Sequence, residues 1–243
     1  MSLLGKIKKN RISKLIGLTA FGAVLILNLT GCANSEAGVR STAEEYITLH
    51  YGSNYRIVDY RSRENSDSGM KPARVTVRHN GFDYILRIEN GQVVEDTYSS
   101  AYAGRIAMDA VRSRLEADNP NLDLSKRNID YSCDFIVTDP NLLQLDLDFT
   151  SAKDYADVMN IVSSNGGIGS AYITIQIHDS GDYKKEEWLY DYYLACQDEL
   201  DRYQLLINFT NANGNITDHT SLGCAPYEKE PTITRDEFLK KFQ

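Results

Sequence analysis

Proline, cysteine and histidine are scarce in this chain, with five, four and four copies in 243 residues, and tryptophan occurs once. Without abundant proline and a glycine period there is no collagen; with 42% hydrophobic and 25% charged residues there is neither wholesale disorder nor a coiled coil. Basic charge is also short: 26 Lys+Arg stand against 34 Asp+Glu, a net charge of -8, so the footprint of a general nucleic-acid binder is missing. His50, His79, His178 and His219 fall in different predicted elements, and no pair has metal-ligand spacing. Cys133, Cys196 and Cys224 lie 63 and 28 residues apart, which matches no compact metal motif. No serine sits in a nucleophile elbow and no Cys/His arrangement is visible. What remains is a soluble α+β chain long enough for one large domain or two of about 100 residues, each able to bury a core.

The first 31 residues differ from the rest. Lys6, Lys8, Lys9, Arg11 and Lys14 supply five positive charges with no acid, and Leu15 to Leu27 then runs thirteen residues without a charge. A spanning helix needs about 20 apolar residues, so this stretch fits the apolar region of a secretory signal peptide instead. Leu29-Thr30-Gly31-Cys32 follows. It resembles the lipobox of bacterial lipoproteins. The resemblance implies diacylglycerol on the Cys32 thiol, cleavage before Cys32, and an acylated Cys32 as the first mature residue. Removing residues 1–31 lowers the basic count from 26 to 21 against 34 acids, a charge of -13. Anionic headgroups repel such a chain, so the lipid would hold it at the membrane; two acyl chains suffice where one is marginal. Residues 33–40 read as a polar tether of at most ~28 Å. In an exported protein Cys133, Cys196 and Cys224 fit either one disulfide plus a thiol or buried reduced cysteines.

Residues 41–118 read as a first module. Ser41-Thr42-Ala43-Glu44 has a capping-box pattern, with Ala43, Tyr46, Ile47 and His50 at helical spacing after it and Tyr51-Gly52 as the stop. A strand is predicted from Tyr55 to Tyr60. Asn80-Gly81 and Asn90-Gly91 are two-residue hairpin signals, because Asn-Gly tolerates the positive φ of a type I′ turn. Two such turns place Val77 opposite Tyr84, Val75 opposite Leu86 and Ile88 opposite Val93, all on one apolar side. On the solvent side the same register opposes Arg74 to Arg87 and Arg78 to Asp83. A helix is expected from about residue 99 to Ala117, with Tyr102, Ile106, Val111 and Leu115 inward. This order of helix, antiparallel meander and helix resembles the cystatin-like and PepSY-like modules of exported bacterial proteins, which implies partner binding, inhibition or spacing.

Residues 125–243 read as a second module in the order ββαβαβα, an open mixed sheet with helices. Strands are predicted at Asp130–Thr138, Leu142–Phe149, Tyr172–His178 and Tyr203–Thr210. Helices are predicted from Ser151 to Val162, from Lys184 to Leu200 with Leu189, Tyr193, Cys196 and Leu200 as one stripe, and from Thr234 with Phe238, Leu239 and Phe242. Gly166-Gly167-Ile168-Gly169 breaks the first of these helices. A phosphate cradle needs a strand leading into a helix N-terminus, whereas here a helix leads into a strand, so the glycines read as a turn. Residues 211–233 read as loop.

Four constellations bear on function. Asp146-Leu147-Asp148-Phe149-Thr150 resembles the DxDx[T/V] motif of haloacid-dehalogenase-like phosphatases, which implies Asp146 as nucleophile, Asp148 as acid/base and bound Mg²⁺. The family's later Lys and acidic pair find no good counterpart, and alternation alone places both carboxylates on the wet side of a half-buried strand. His178 with Asp179 and Asp182 offers a possible cation site, or a merely acidic loop. The facing pair Arg74 and Arg87 offers an anion clamp, or a solvated polar face. Trp188, Tyr190 and Tyr192 offer an aromatic surface for protein or glycan recognition, or packing against the terminal helix. The resulting expectation is a non-catalytic lipoprotein, lipid-anchored on the outer face of a bacterial cell membrane, with no metal or cofactor beyond the acyl lipid on Cys32. Its partner would be an envelope protein, peptide or glycan, not nucleic acid. The alternatives are an envelope hydrolase at Asp146/Asp148 or a passive subunit of an envelope complex.

Overall fold

The computed structural model describes residues 34–66, 69–122, 129–141, 143–178, 187–211, 213, 215–223 and 232–241. The leader, Cys32, Asp179, Asp182, Cys224 and Phe242 lie outside the described residues. The chain is α+β and divides into two compact units after Thr97.

The first unit begins with α1 (Glu36–His50), whose N-cap is Ser35, not Ser41; the Ser35 hydroxyl accepts from the Gly38 N–H at 3.1 Å. The expected tether is therefore shorter, since residues 36–40 form the first turns of this helix. Helical backbone advances only about 1.5 Å per residue, less than half the rise of extended chain. Gly52 at φ +88° takes the left-handed conformation that ends the helix. β1 (Tyr55–Arg61), β4 (Ala73–His79), β5 (Phe82–Glu89) and β6 (Gln92–Asp96) form an antiparallel sheet in the order β1-β4-β5-β6. β2 (Glu64–Ser66) and β3 (Gly69–Lys71) make a separate two-stranded ribbon.

Both Asn-Gly turns are as expected. Asn80 and Asn90 have φ of 50° and 52°, and Gly81 and Gly91 have 86° and 75°. The register follows: Val77 pairs with Tyr84, Val75 with Leu86, Ile88 with Val93 and Arg74 with Arg87. Val75, Val77, Tyr84, Leu86 and Ile88 are buried with Val39, Ala43 and Ile47, which recur every fourth residue along α1. Burying each large side chain is worth roughly 1.5–3 kcal/mol. Packing of α1 thus closes the inner face of the sheet, and the outer face carries the alternate, polar residues.

The second unit contains α2 (Tyr98–Asp118), β7 (Ile129–Thr138), α3 (Tyr155–Ser164), β8 (Ile168–His178), α4 (Glu187–Glu199), β9 (Tyr203–Thr210), β10 (Ile216–Gly223) and α5 (Arg235–Lys240). Its sheet has the order β10-β9-β8-β7, with β8 and β9 parallel and the other pairs antiparallel. Apolar rows cross the strands, for example Cys133–Ile173–Leu205 and Tyr131–Ile175–Ile207. The buried stripe of α4, with Leu189, Tyr193, Cys196 and Leu200, lies in the same core.

Four expectations change here. α2, expected to cover the first meander, contributes Ala103, Ala107, Val111 and Leu115 to the second core. Gly104 lets it approach β7 closely, since a Cβ there would overlap the Cys133 carbonyl oxygen. β10 occupies part of the expected loop; its sequence, Ile-Thr-Asp-His-Thr-Ser-Leu-Gly, is too polar to announce an edge strand. The strand predicted over Leu142–Phe149 is absent from its described residues, 143–149. It starts to pair with β7 at Thr138 and Gln144 and then departs. The Ser99 hydroxyl explains the departure, because it donates to the Leu147 carbonyl and accepts from the Phe149 N–H, both at 2.6 Å, so those groups are not offered to a neighbouring strand. α3 is capped by Asp154 and not by Ser151.

Candidate functional site

The outer face of the first sheet carries a row of arginines. Arg74 on β4 pairs with Arg87 on β5, as expected, and on its other side with Arg61 on β1. Strands lie about 4.8 Å apart, so three guanidinium side chains rise from adjacent backbones. Arg61 reaches this face through a β-bulge between Ile57 and Asp59. Strict alternation would put Arg56 and Arg61 on opposite faces; the bulge turns Asp59 and Arg61 to the side of Arg56.

The ends of the row are neutralised and its centre is not. Arg61 Nε lies 3.4 Å from Asp59, and Arg87 Nε lies 2.7 Å from Glu95. Among the described residues no carboxylate pairs with Arg74, and its Nε is buried with no hydrogen-bond partner. Alongside, Arg63 bonds Glu89 at 2.6 Å, yet its Nε is also buried without a partner. Arg78 is held in a two-point pair by Asp83, at 2.6 and 2.7 Å. Opposed like charges and unmatched donors each cost free energy. An oxyanion beside the row would offset the repulsion between these like charges.

The aromatic candidates prove to be core. Tyr192 is completely buried, its ring stacked on Tyr131 with centroids 6.0 Å apart and its hydroxyl donating to Met108 sulfur at 3.5 Å. Burial holds its phenol far above the ordinary range. Trp188 is only 4% exposed. Tyr190 is half-buried; it donates to the Ile233 carbonyl at 3.0 Å and sets its ring edge against Phe238 at 5.4 Å. Tyr193 accepts from the Ile233 N–H at 3.2 Å. These rings fasten the segment of α5 to α4, and of the three candidates only Tyr190 keeps part of its surface exposed.

Asp146 and Asp148 are exposed on the irregular segment. Asp148 accepts from the Thr150 N–H at 2.9 Å and the Thr150 hydroxyl at 2.7 Å, and these bonds hold its carboxyl below the usual range. One of its oxygens is thus engaged by the local turn. Among the described residues no group of three His, Cys, Asp or Glu side chains is placed to hold a metal ion. Cys133 and Cys196 are free thiols; burial pushes Cys133 up to about 12 and raises Cys196 strongly. Neither is a ready nucleophile, because the thiolate is disfavoured.

His178 has partners the sequence did not reveal. Its Nε2 lies 2.7 Å from Asp130 on β7, and its Nδ1 lies 3.0 Å from the Thr210 hydroxyl on β9. Threonine, histidine and carboxylate in line have the composition of a nucleophilic triad. However, Thr210 is completely buried and also lies 3.4 Å from the Ile177 carbonyl. The line ties three neighbouring strand ends together. A shallow cleft between α3 and β8, lined by Met159, Val162, Gly167, Ile168, Asp201 and Arg202, brings only one carboxylate to its wall.

No protein-family model matches the chain. No curated protein matches it either. Among solved structures, a crystal structure of a DUF5037 family protein from Ruminococcus gnavus is similar at 16% identity, over 72% of this chain and 76% of that one, with a TM-score of 0.37. That likeness is too loose to carry a functional argument. No helix among the described residues is long and apolar enough to cross a membrane.

Proposed function

We propose that this protein is a lipid-anchored, non-catalytic binding module of the bacterial cell envelope. Diacylglycerol on Cys32 holds it at the outer face of the cytoplasmic membrane. It engages an anionic envelope component through the outer sheet face of the first unit. The observation that carries the binding role is the Arg61–Arg74–Arg87 row, centred on a guanidinium with no carboxylate partner among the described residues. In a chain of net charge -8, a concentration of positive charge on one sheet face marks the place where an acidic partner can approach. The anchor is supported by the lipobox-like Leu29-Thr30-Gly31-Cys32 behind a thirteen-residue apolar segment. The binding role needs no metal or cofactor.

A photo-crosslinking side chain at Thr76, which neighbours the row on β4, tests this reading in intact cells. We expect adducts with an envelope component that disappear when Arg74→Gln is added. A crosslinker at Gln204, on the second sheet, serves as control. Adducts that are equal from both positions, or that survive Arg74→Gln, overturn the reading.

A further inference from the structure

We propose that the arginine row is a phosphate-group site with Arg74 at its centre. The inference rests on the binding role proposed for this face and names the chemistry it recognises. Arg61 and Arg87 each pair with Arg74 from the strands on either side of it, so the three side chains rise in a line across the sheet. A planar carboxylate is best matched by a single bidentate arginine, as Asp83 is by Arg78 at 2.6 and 2.7 Å. A phosphate group carries oxygens in several directions and takes hydrogen bonds from two or three donors on neighbouring strands at once. The row also has the right charge. Asp59 and Glu95 occupy Arg61 and Arg87 at its ends, leaving one net positive charge among these five groups, centred on Arg74. A second observation points the same way. The Nε atoms of Arg74 and Arg63 are both buried with no hydrogen-bond partner, although Arg63 holds Glu89 through its terminal nitrogen. The face thus holds guanidinium groups short of hydrogen-bond partners, and an oxyanion bound at the row relieves the repulsion among them.

The test uses the full chain in detergent micelles, with the arginine side-chain N–H signals followed by NMR at low ionic strength. Inorganic phosphate is titrated first, against acetate at equal ionic strength. We expect saturable shifts at Arg74, Arg61 and Arg87 with phosphate and little response to acetate. Arg74→Gln should weaken phosphate binding about tenfold, the loss of one charge-assisted hydrogen bond, while backbone amide signals of β4 and β5 stay in place. Arg56→Gln, outside the row, should bind as the parent does. Vesicles of phosphatidylcholine with and without phosphatidylglycerol then separate the sources. Arg74-dependent shifts of the arginine N–H signals that need phosphatidylglycerol assign the phosphate to a lipid headgroup; shifts with inorganic phosphate and none that depend on phosphatidylglycerol assign it to a soluble or polymer-borne phosphate. Acetate matching phosphate, Arg74→Gln binding like the parent, or no saturable shift overturns the proposal. If that happens while Thr76 still yields Arg74-dependent adducts with an envelope protein, the binding role stands and its chemistry is that of an acidic polypeptide.

Discussion

Arg74→Thr should make the first unit more stable while weakening its binding. Arg74 faces Arg61 on one side and Arg87 on the other. Opposed like charges on neighbouring strands cost up to about 1 kcal/mol per pair, here reduced by Asp59 and Glu95. A buried donor without a partner adds a cost on the order of 1–3 kcal/mol. Against these stands the packing of the arginine stem over the sheet, roughly 1 kcal/mol. Threonine suits an outward strand position and has no charge. The balance is a gain of about 1 kcal/mol, which for a unit of this size raises Tm by about 4–8 °C. Part of the gain is electrostatic, and the Debye length shrinks from about 10 Å at 0.1 M salt to about 3 Å at 1 M, so the gain should diminish in high salt. The assay must be local, because the single tryptophan, Trp188, belongs to the second unit. Hydrogen exchange at Val75, Val77 and Leu86 reports on the first sheet, while Trp188 fluorescence should show an unchanged transition. A loss of protection at those amides, or a gain identical at low and high salt, refutes the view that the row is held at a cost.

Other perturbations probe the second unit. Gly104→Ala sets two effects against each other: helix propensity favours alanine by about 1 kcal/mol, but the new Cβ would overlap the Cys133 carbonyl oxygen, an overpacking cost of about 1–3 kcal/mol. We expect net destabilisation in urea unfolding, and a stabilised variant would contradict the close approach of α2 to β7. Phe238→Ala should cost about 3–5 kcal/mol of local stability and release α5 from Tyr190 and Tyr193, seen as rapid proteolysis after residue 232 with the sheet still protected. Thr150→Ala should move the Asp148 carboxyl up towards its ordinary range, read by carbon NMR. Because the folded value is depressed, this interaction stabilises above the ordinary carboxylate range and is lost as pH falls through the folded value. An unchanged titration would show that the Thr150 hydroxyl is not the cause.

The hairpins were legible because their information is local. Each Asn-Gly fixes a turn, the turn fixes the register, and the register put Arg74 opposite Arg87. The third member of the row was not legible. Arg61 reaches the face only through a bulge that depends on pairing between β1 and β4, and nothing within Tyr55–Arg61 encodes that partner. The aromatic residues of α4 misled for a related reason. Trp188 and Tyr192 look outward-facing by number alone, but the core includes α2 and β7, whose Met108 and Tyr131 cover Tyr192. The failed strand at residues 143–149 was decided by Ser99, nearly fifty residues away. His178 likewise found Asp130 and Thr210 across the sheet, where the sequence offered only its immediate neighbours.

The proposed location depends on Cys32, so the most direct test is the mass of the N-terminal peptide of the protein purified from bacterial membranes. The expected peptide begins at Cys32 and carries diacylglycerol, and Cys32→Ala accumulates as the uncleaved chain without lipid. A parent protein that retains Met1 and no acyl group would contradict the account, whatever its arginine face binds.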